Sequence, residues 1–141
     1  MNHDQDFYHW TINSAQQLRA GNIAGLDLIR LAEEIEATGR SEKHALASHL
    51  RVLMLHLLKW HYQPALRSVS WQLSITNARD EIAELLEDNP SLNHTLPEMI
   101  NRRYPAARQG AMIETGLAAT TFPLVCPFSI AQLLVNEDAQ N

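Results

Sequence analysis

Apolar positions recur three and four residues apart along most of the chain, the period of a helix and not of a strand. Trp10, Ile12, Ala15 and Leu18 predict a first helix that Asp6 caps, that runs to about Ala20 and that Gly21 stops. Leu28, Leu31, Ala32 and Ile35 then fall on one stripe of a second helix, from about Asn22 to Thr38, which Gly39 is expected to end. On that helix Glu36 borders the stripe while Glu33 and Glu34 point outward, so Glu36 is the carboxylate expected to be partly buried. Ser41 opens a third helix, to about Trp60, in which Leu50, Val52 to Leu55, Leu57 and Leu58 are apolar nearly all round; such a helix belongs in the middle of a fold.

After Pro64, Ser68 or Ser70 caps a fourth helix. Its stripe is Trp71, Ile75, Ala78, Ile82, Leu85 and Leu86, with Arg79 at the border and Asp80, Glu81, Glu84 and Glu87 facing water. Asn89-Pro90-Ser91 stops it. A helical region from Ser91 to about Thr115 follows, interrupted at Pro97 and Pro105 and closed by Gly116. The stretch from Thr120 to Phe128, with Pro123 and Pro127, reads as largely irregular. Ser129 caps a last short helix, Ile130 to Val135, before the polar tail 136–141. No segment alternates with period two for long enough to argue for a sheet, no internal repeat is visible and no linker divides the chain. The prediction is an all-α, single-domain bundle of five or six helices with a largely irregular C-terminal segment, its core about residues 6–135.

Composition narrows the function classes. The 141 residues fit one domain, and 45% hydrophobic against 19% charged residues suit a packed core. A net charge of -5 disfavours nucleic acid and anionic lipid as partners. Cys126 is the one cysteine, so no internal disulfide forms, and Asp4 and Asp6 stand where a secretory signal is basic and then apolar; a cytoplasmic location is expected. The stretch Val52 to Leu58, broken by His56, is far too short to span a membrane.

Seven histidines raise the question of a metal, yet no pair stands four apart and no Glu-x-x-His unit occurs. Neither a metal site nor a cofactor is expected. Glu36, His56, Lys59, Arg67, Arg79 and Glu114 border or interrupt apolar stripes. They predict an ion-pair and hydrogen-bond network, with Glu36 and Arg79 as its simplest pair. The catalytic alternative is a hydrolase or nuclease in which Glu36, His56 and Glu114 converge, His56 serving as a base oriented by a carboxylate. In the run from Lys59 to Ser68, Trp60 and Tyr62 interleave with Arg67. That run is either a surface for stacking unpaired bases or a helix-to-helix corner whose arginine donates to carbonyls at a helix end. Arg102, Arg103 and Arg108 form a second basic region. Cys126 would need a base or a helix N-terminus to become a nucleophile, and a buried structural cysteine is the simpler expectation.

Ordered motifs carry a resemblance. They are Asp6-Phe7-Tyr8 with Trp10, Glu33-Glu34-Ile35-Glu36, Gly39-Arg40-Ser41-Glu42, His56-Leu57-Leu58-Lys59-Trp60, Gln63-Pro64, Arg67-Ser68 and Ser70-Trp71, then Glu114-Thr115-Gly116-Leu117, Phe122-Pro123 and Cys126-Pro127. In this order and spacing they resemble the domain of unknown function 29 family, small bacterial proteins frequent in cyanobacteria. The resemblance implies an all-helical fold and brings no activity with it. The functional expectation is a small helical module that binds a protein partner, itself included, with Trp10, Trp60, Tyr62, Arg67 and Arg79 as binding residues and helix one with Phe7, Tyr8 and Trp10 as the exposed aromatic surface.

Overall fold

Asp6 opens the first helix as its position predicts: its Oδ1 accepts the amide of His9 at 2.9 Å, and helix α1 runs Phe7–Arg19. The computed structural model describes residues 6–135, and the tail expected at 136–141 lies outside them. Among the described residues the chain is all-α. Helices α2 (Leu28–Tyr62), α3 (Val69–Asp88), α4 (Leu96–Thr115) and α5 (Ile130–Leu134) follow α1, with 3-10 turns at Pro64–Leu66, Pro90–Thr95 and Ala119–Thr121 and no strand. The chain divides into two compact units, Met1–Arg40 and Ser41–Asn141.

In the first unit α1 ends at Ala20, and Gly21 turns the chain with a φ of 74° that a side chain would strain. Residues 22–27 form a turn, so α2 starts six residues later than expected. Asp27 accounts for the delay, because its Oδ1 takes the Arg30 amide at 3.0 Å and caps the helix there. The expected inward stripe is turned outward. Leu28 and Ile35 are 55% and 70% exposed, while Arg30, Leu31, Glu34 and Ala37 form the half-buried face. The Arg30 guanidinium lies 4.5 Å from the Trp10 ring centroid and 5.9 Å from that of Phe7, and this stacking turns the Arg30 face of α2 toward α1. Glu36 is therefore exposed and Glu34 half-buried, the reverse of the expectation. Nor does Gly39 end a helix: its φ is not positive, and Arg40 to Lys43 are helix formers with no proline beyond, so α2 continues.

In the second unit the expected central helix is the C-terminal part of α2. Leu46, Leu50, Leu53, Met54, Leu57 and Leu58 are buried there, together with Ile75, Ala78 and Ile82 of α3 and Tyr104, Ala107 and Ala111 of α4. Ser68 is the cap of α3, its Oγ accepting the Trp71 amide at 3.2 Å, and Asn89 ends that helix. Where a helix was expected from Ser91, the chain first makes the Pro90–Thr95 turn, and α4 begins at Leu96 with Pro97 in its first turn. Pro105 lies inside α4 without ending it. Gly110 permits close packing, since a Cβ there would come within 2.5 Å of Leu55 Cδ1. Gly116, with φ 71°, closes α4.

The C-terminal segment is irregular but anchored. Phe122 and Leu133 are 2% and 0% exposed, and three side chains donate to its carbonyls. Tyr104 Oη reaches Pro123 O at 2.6 Å, Arg108 Nε reaches Phe122 O at 3.2 Å and its Nη2 reaches Ala119 O, and Arg79 bonds Gln132 O and Leu133 O at 2.7 and 3.1 Å. A path without its own ladder thus has these five carbonyls satisfied by side chains from α3 and α4. Among the described residues no helix is long and apolar enough to cross a membrane.

Candidate functional site

The end of α2 gathers the polar and aromatic residues that the sequence singles out. Lys59 is only 8% exposed although charged; its Nζ donates to Glu114 Oε1 at 2.8 Å and lies 4.7 Å from the Trp71 ring centroid. The carboxylate of Glu114 is itself half open to solvent, so the pair is a buried ammonium reaching a surface acid across an indole face. Next to it, Arg67 donates from Nε to Trp60 O at 2.8 Å, and its guanidinium stacks 4.8 Å from the Trp60 ring centroid. This is the helix-to-helix corner: an arginine holds one of the last carbonyls of α2 and covers the indole. The Trp60 Nε1 donor is buried with no acceptor among the described residues.

Aromatic contacts extend the corner to the C-terminal segment. Tyr62 meets Phe122 edge-on at 5.3 Å, and His61 packs at 5.6 Å on Phe128. Tyr62 keeps 38% of its surface exposed.

The three residues of the catalytic alternative have separate surroundings. His56 Nδ1 lies 2.9 Å from the carbonyl of Val52, one turn back on its own helix, and no carboxylate orients its ring among the described residues. Glu114 engages Lys59, and Glu36 stands exposed in the first unit. Arg79, expected as a binding residue and as the mate of Glu36, is 8% exposed and holds the carbonyls of α5. Trp10, expected on the exposed aromatic surface, is 7% exposed, because Arg30 and Phe7 cover its ring; Phe7 and Tyr8 supply the exposed aromatics at 49% and 76%. Arg108 of the second basic region is engaged with carbonyls, whereas Arg102 makes only a 3.7 Å surface contact with Glu98.

Cys126 is half-buried, with Sγ 3.8 Å from Met54 Sδ and 3.6 Å from Phe128 O. Burial pushes its thiol above the ordinary range, more than the Phe128 backbone lowers it, which is the opposite of what a nucleophile needs. Burial likewise pushes Tyr104 up to about 12, helped by the nearby Cys126 and opposed by Arg108. Among the described residues no group of three or more His, Cys, Asp or Glu side chains could hold a metal ion.

Sequence reasoning missed the clamp formed by Tyr104 and Arg108. Their spacing of four residues on α4 placed them on one face, and the nearby proline-rich segment offered the free carbonyls; read together, those two signals would have found it. The arrangement defines an all-helical protein whose buried polar side chains hold its own segments together. The chain matches the family described as Domain of unknown function DUF29 over residues 3–138, and it belongs to that family. No curated protein and no solved structure matches it.

Proposed function

We propose that this protein is a small helical protein-interaction module that works through the apolar surface of its first unit, in a reducing compartment such as the cytoplasm. One observation carries the reading. In that unit only Trp10 and Ser14 are buried among the described residues, while Phe7, Tyr8, Ile12, Leu18, Ile23, Leu28, Ile29 and Ile35 are between 44% and 76% exposed. Exposed apolar surface of that extent marks an interaction site. The unit has 40 residues, a size at which chains usually need an added surface, disulfide or metal to stay folded. The polar residues of the second unit support the same reading, because Lys59, Arg67, Arg79 and Arg108 are engaged within the scaffold and among the described residues no carboxylate orients His56 as a base.

The test is native mass spectrometry of the tagged protein taken from its own cells. The wild type is expected in a species heavier than one 15.9 kDa chain, and Tyr8→Glu with Ile29→Glu should release it with helical circular dichroism unchanged. If wild type and variant both run as single chains, the reading is wrong.

A further inference from the structure

We infer that the surface covering the first unit is a second copy of this chain, and that the two copies pair antiparallel along α2 with Leu28 of each seated against Gly39 of the other. The inference rests on the interaction reading above and names its partner.

Leu28, Ala32, Ile35 and Gly39 are spaced by four, three and four residues, and at ~100° per residue they form one narrow stripe. All four are exposed. Gly39 is the informative member. It sits within a 35-residue helix, its φ is not positive, and a Cβ added there would meet nothing within 4 Å. Glycine weakens a helix interior relative to alanine, and no close neighbour among the described residues requires it at that position. A close approach by another chain does.

The stripe is complementary to itself. In an antiparallel pair centred midway between residues 33 and 34, Leu28 lies opposite Gly39 and Ile35 opposite Ala32, and the same centre serves both layers. Each large side chain then meets a small one, and the two-fold axis repeats every contact. An unrelated partner would not need this alternation of large and small. A second copy does, because one surface must supply both knob and hole. Leu28 and Ile35, 55% and 70% exposed, are the two large apolar side chains that each copy has to bury along this stripe, and Ala32 and Gly39 are the two small positions that receive them.

Two measurements on the full chain test the pairing. Sedimentation equilibrium should give a dimer, and Ile35→Asp and Gly39→Leu should each weaken self-association at least ten-fold with helical circular dichroism retained; leucine is the better helix former, so its effect reports the interface and not the helix. For the register, Leu28→Cys and Gly39→Cys proteins are prepared separately and oxidised alone and mixed, and cross-links are mapped by mass spectrometry. A 28-to-39 link should form in the mixture only, because in this register each position is about 16 Å along the axis from its own copy. Links at 28-to-28 or 39-to-39 would overturn the antiparallel register. A chain monomeric at every concentration up to about 100 µM would overturn the second copy as partner. If that monomer still entered a heavier species in cell extract and lost it on Tyr8→Glu with Ile29→Glu, the interaction reading would stand and this inference alone would fall.

Discussion

Tyr104 concentrates the physics of the C-terminal anchor in one side chain. It is 1% exposed and donates its phenolic proton to Pro123 O, and only the neutral phenol makes that bond. Its folded value of about 12 lies above the ordinary 10, so the folded chain holds the proton more tightly than the unfolded one. The resulting stability is fully present below pH 10 and is lost as pH rises toward 12, an effect of roughly 2–3 kcal/mol. Denaturant melts at pH 9 and pH 11.5 should show that loss in the wild type. In Tyr104→Phe the loss should be largely absent, after a uniform cost of about 1 kcal/mol for the missing bond. Equal slopes in the two proteins would show that other groups govern alkaline unfolding. Trp71 is the contrasting residue: half-buried beneath the Lys59 ammonium, it covers the core instead of filling it.

At the scale of elements, α5 shows what side chains from elsewhere must do. Five residues make little more than one turn, far below the length at which a helix holds itself in water. The capping box between Ser129 and Gln132 satisfies its start, burial of Leu133 fixes its face, and Arg79 of α3 satisfies its final carbonyls. Arg79→Met should therefore speed hydrogen exchange at the Leu133 and Val135 amides by about ten-fold or more while α4 amides change little, since local opening is governed by local support. Uniform acceleration across both helices would mean that Arg79 supports the whole unit instead. The starts at Asp6, Ser68 and Ser129 and the stops at Gly21, Asn89 and Gly116 were legible because caps are local chemistry within three or four residues. The fusion of two expected helices through Gly39 was not, because a glycine inside a helix and a glycine after one differ only in φ. The outward turn of Leu28 and Ile35 was equally hidden. It follows from Arg30 stacking on Trp10, a contact between residues twenty positions apart that periodicity does not encode. Of the candidate residues, the spacing of the Trp60 to Arg67 corner was readable as local, whereas the partners of Lys59 and Arg79 lie 55 and 53 or 54 positions away.

For the molecule as a whole, the two units differ in how they meet the cost of folding. The second unit has a cluster of buried apolar side chains drawn from α2, α3, α4 and the C-terminal segment; the first has Trp10 and a stacked guanidinium. If a second copy completes the first unit, its order is linked to concentration by mass action and that of the second unit is not. Hydrogen exchange measured at about 1 and 100 µM should show α1 amides protected several-fold more at the higher concentration, with α4 amides unchanged. Concentration-independent protection in α1 would mean that the first unit is ordered without help. The anchored C-terminal segment has another consequence, which concerns synthesis. Phe122 and Leu133 are interior residues, and the carbonyls that Arg79, Tyr104 and Arg108 need are also translated after residue 118. A nascent chain thus carries a core with open sides, and Tyr104 and Arg108 without these carbonyls, until the segment through Leu133 has emerged, so the second unit is completed only once that segment has been made.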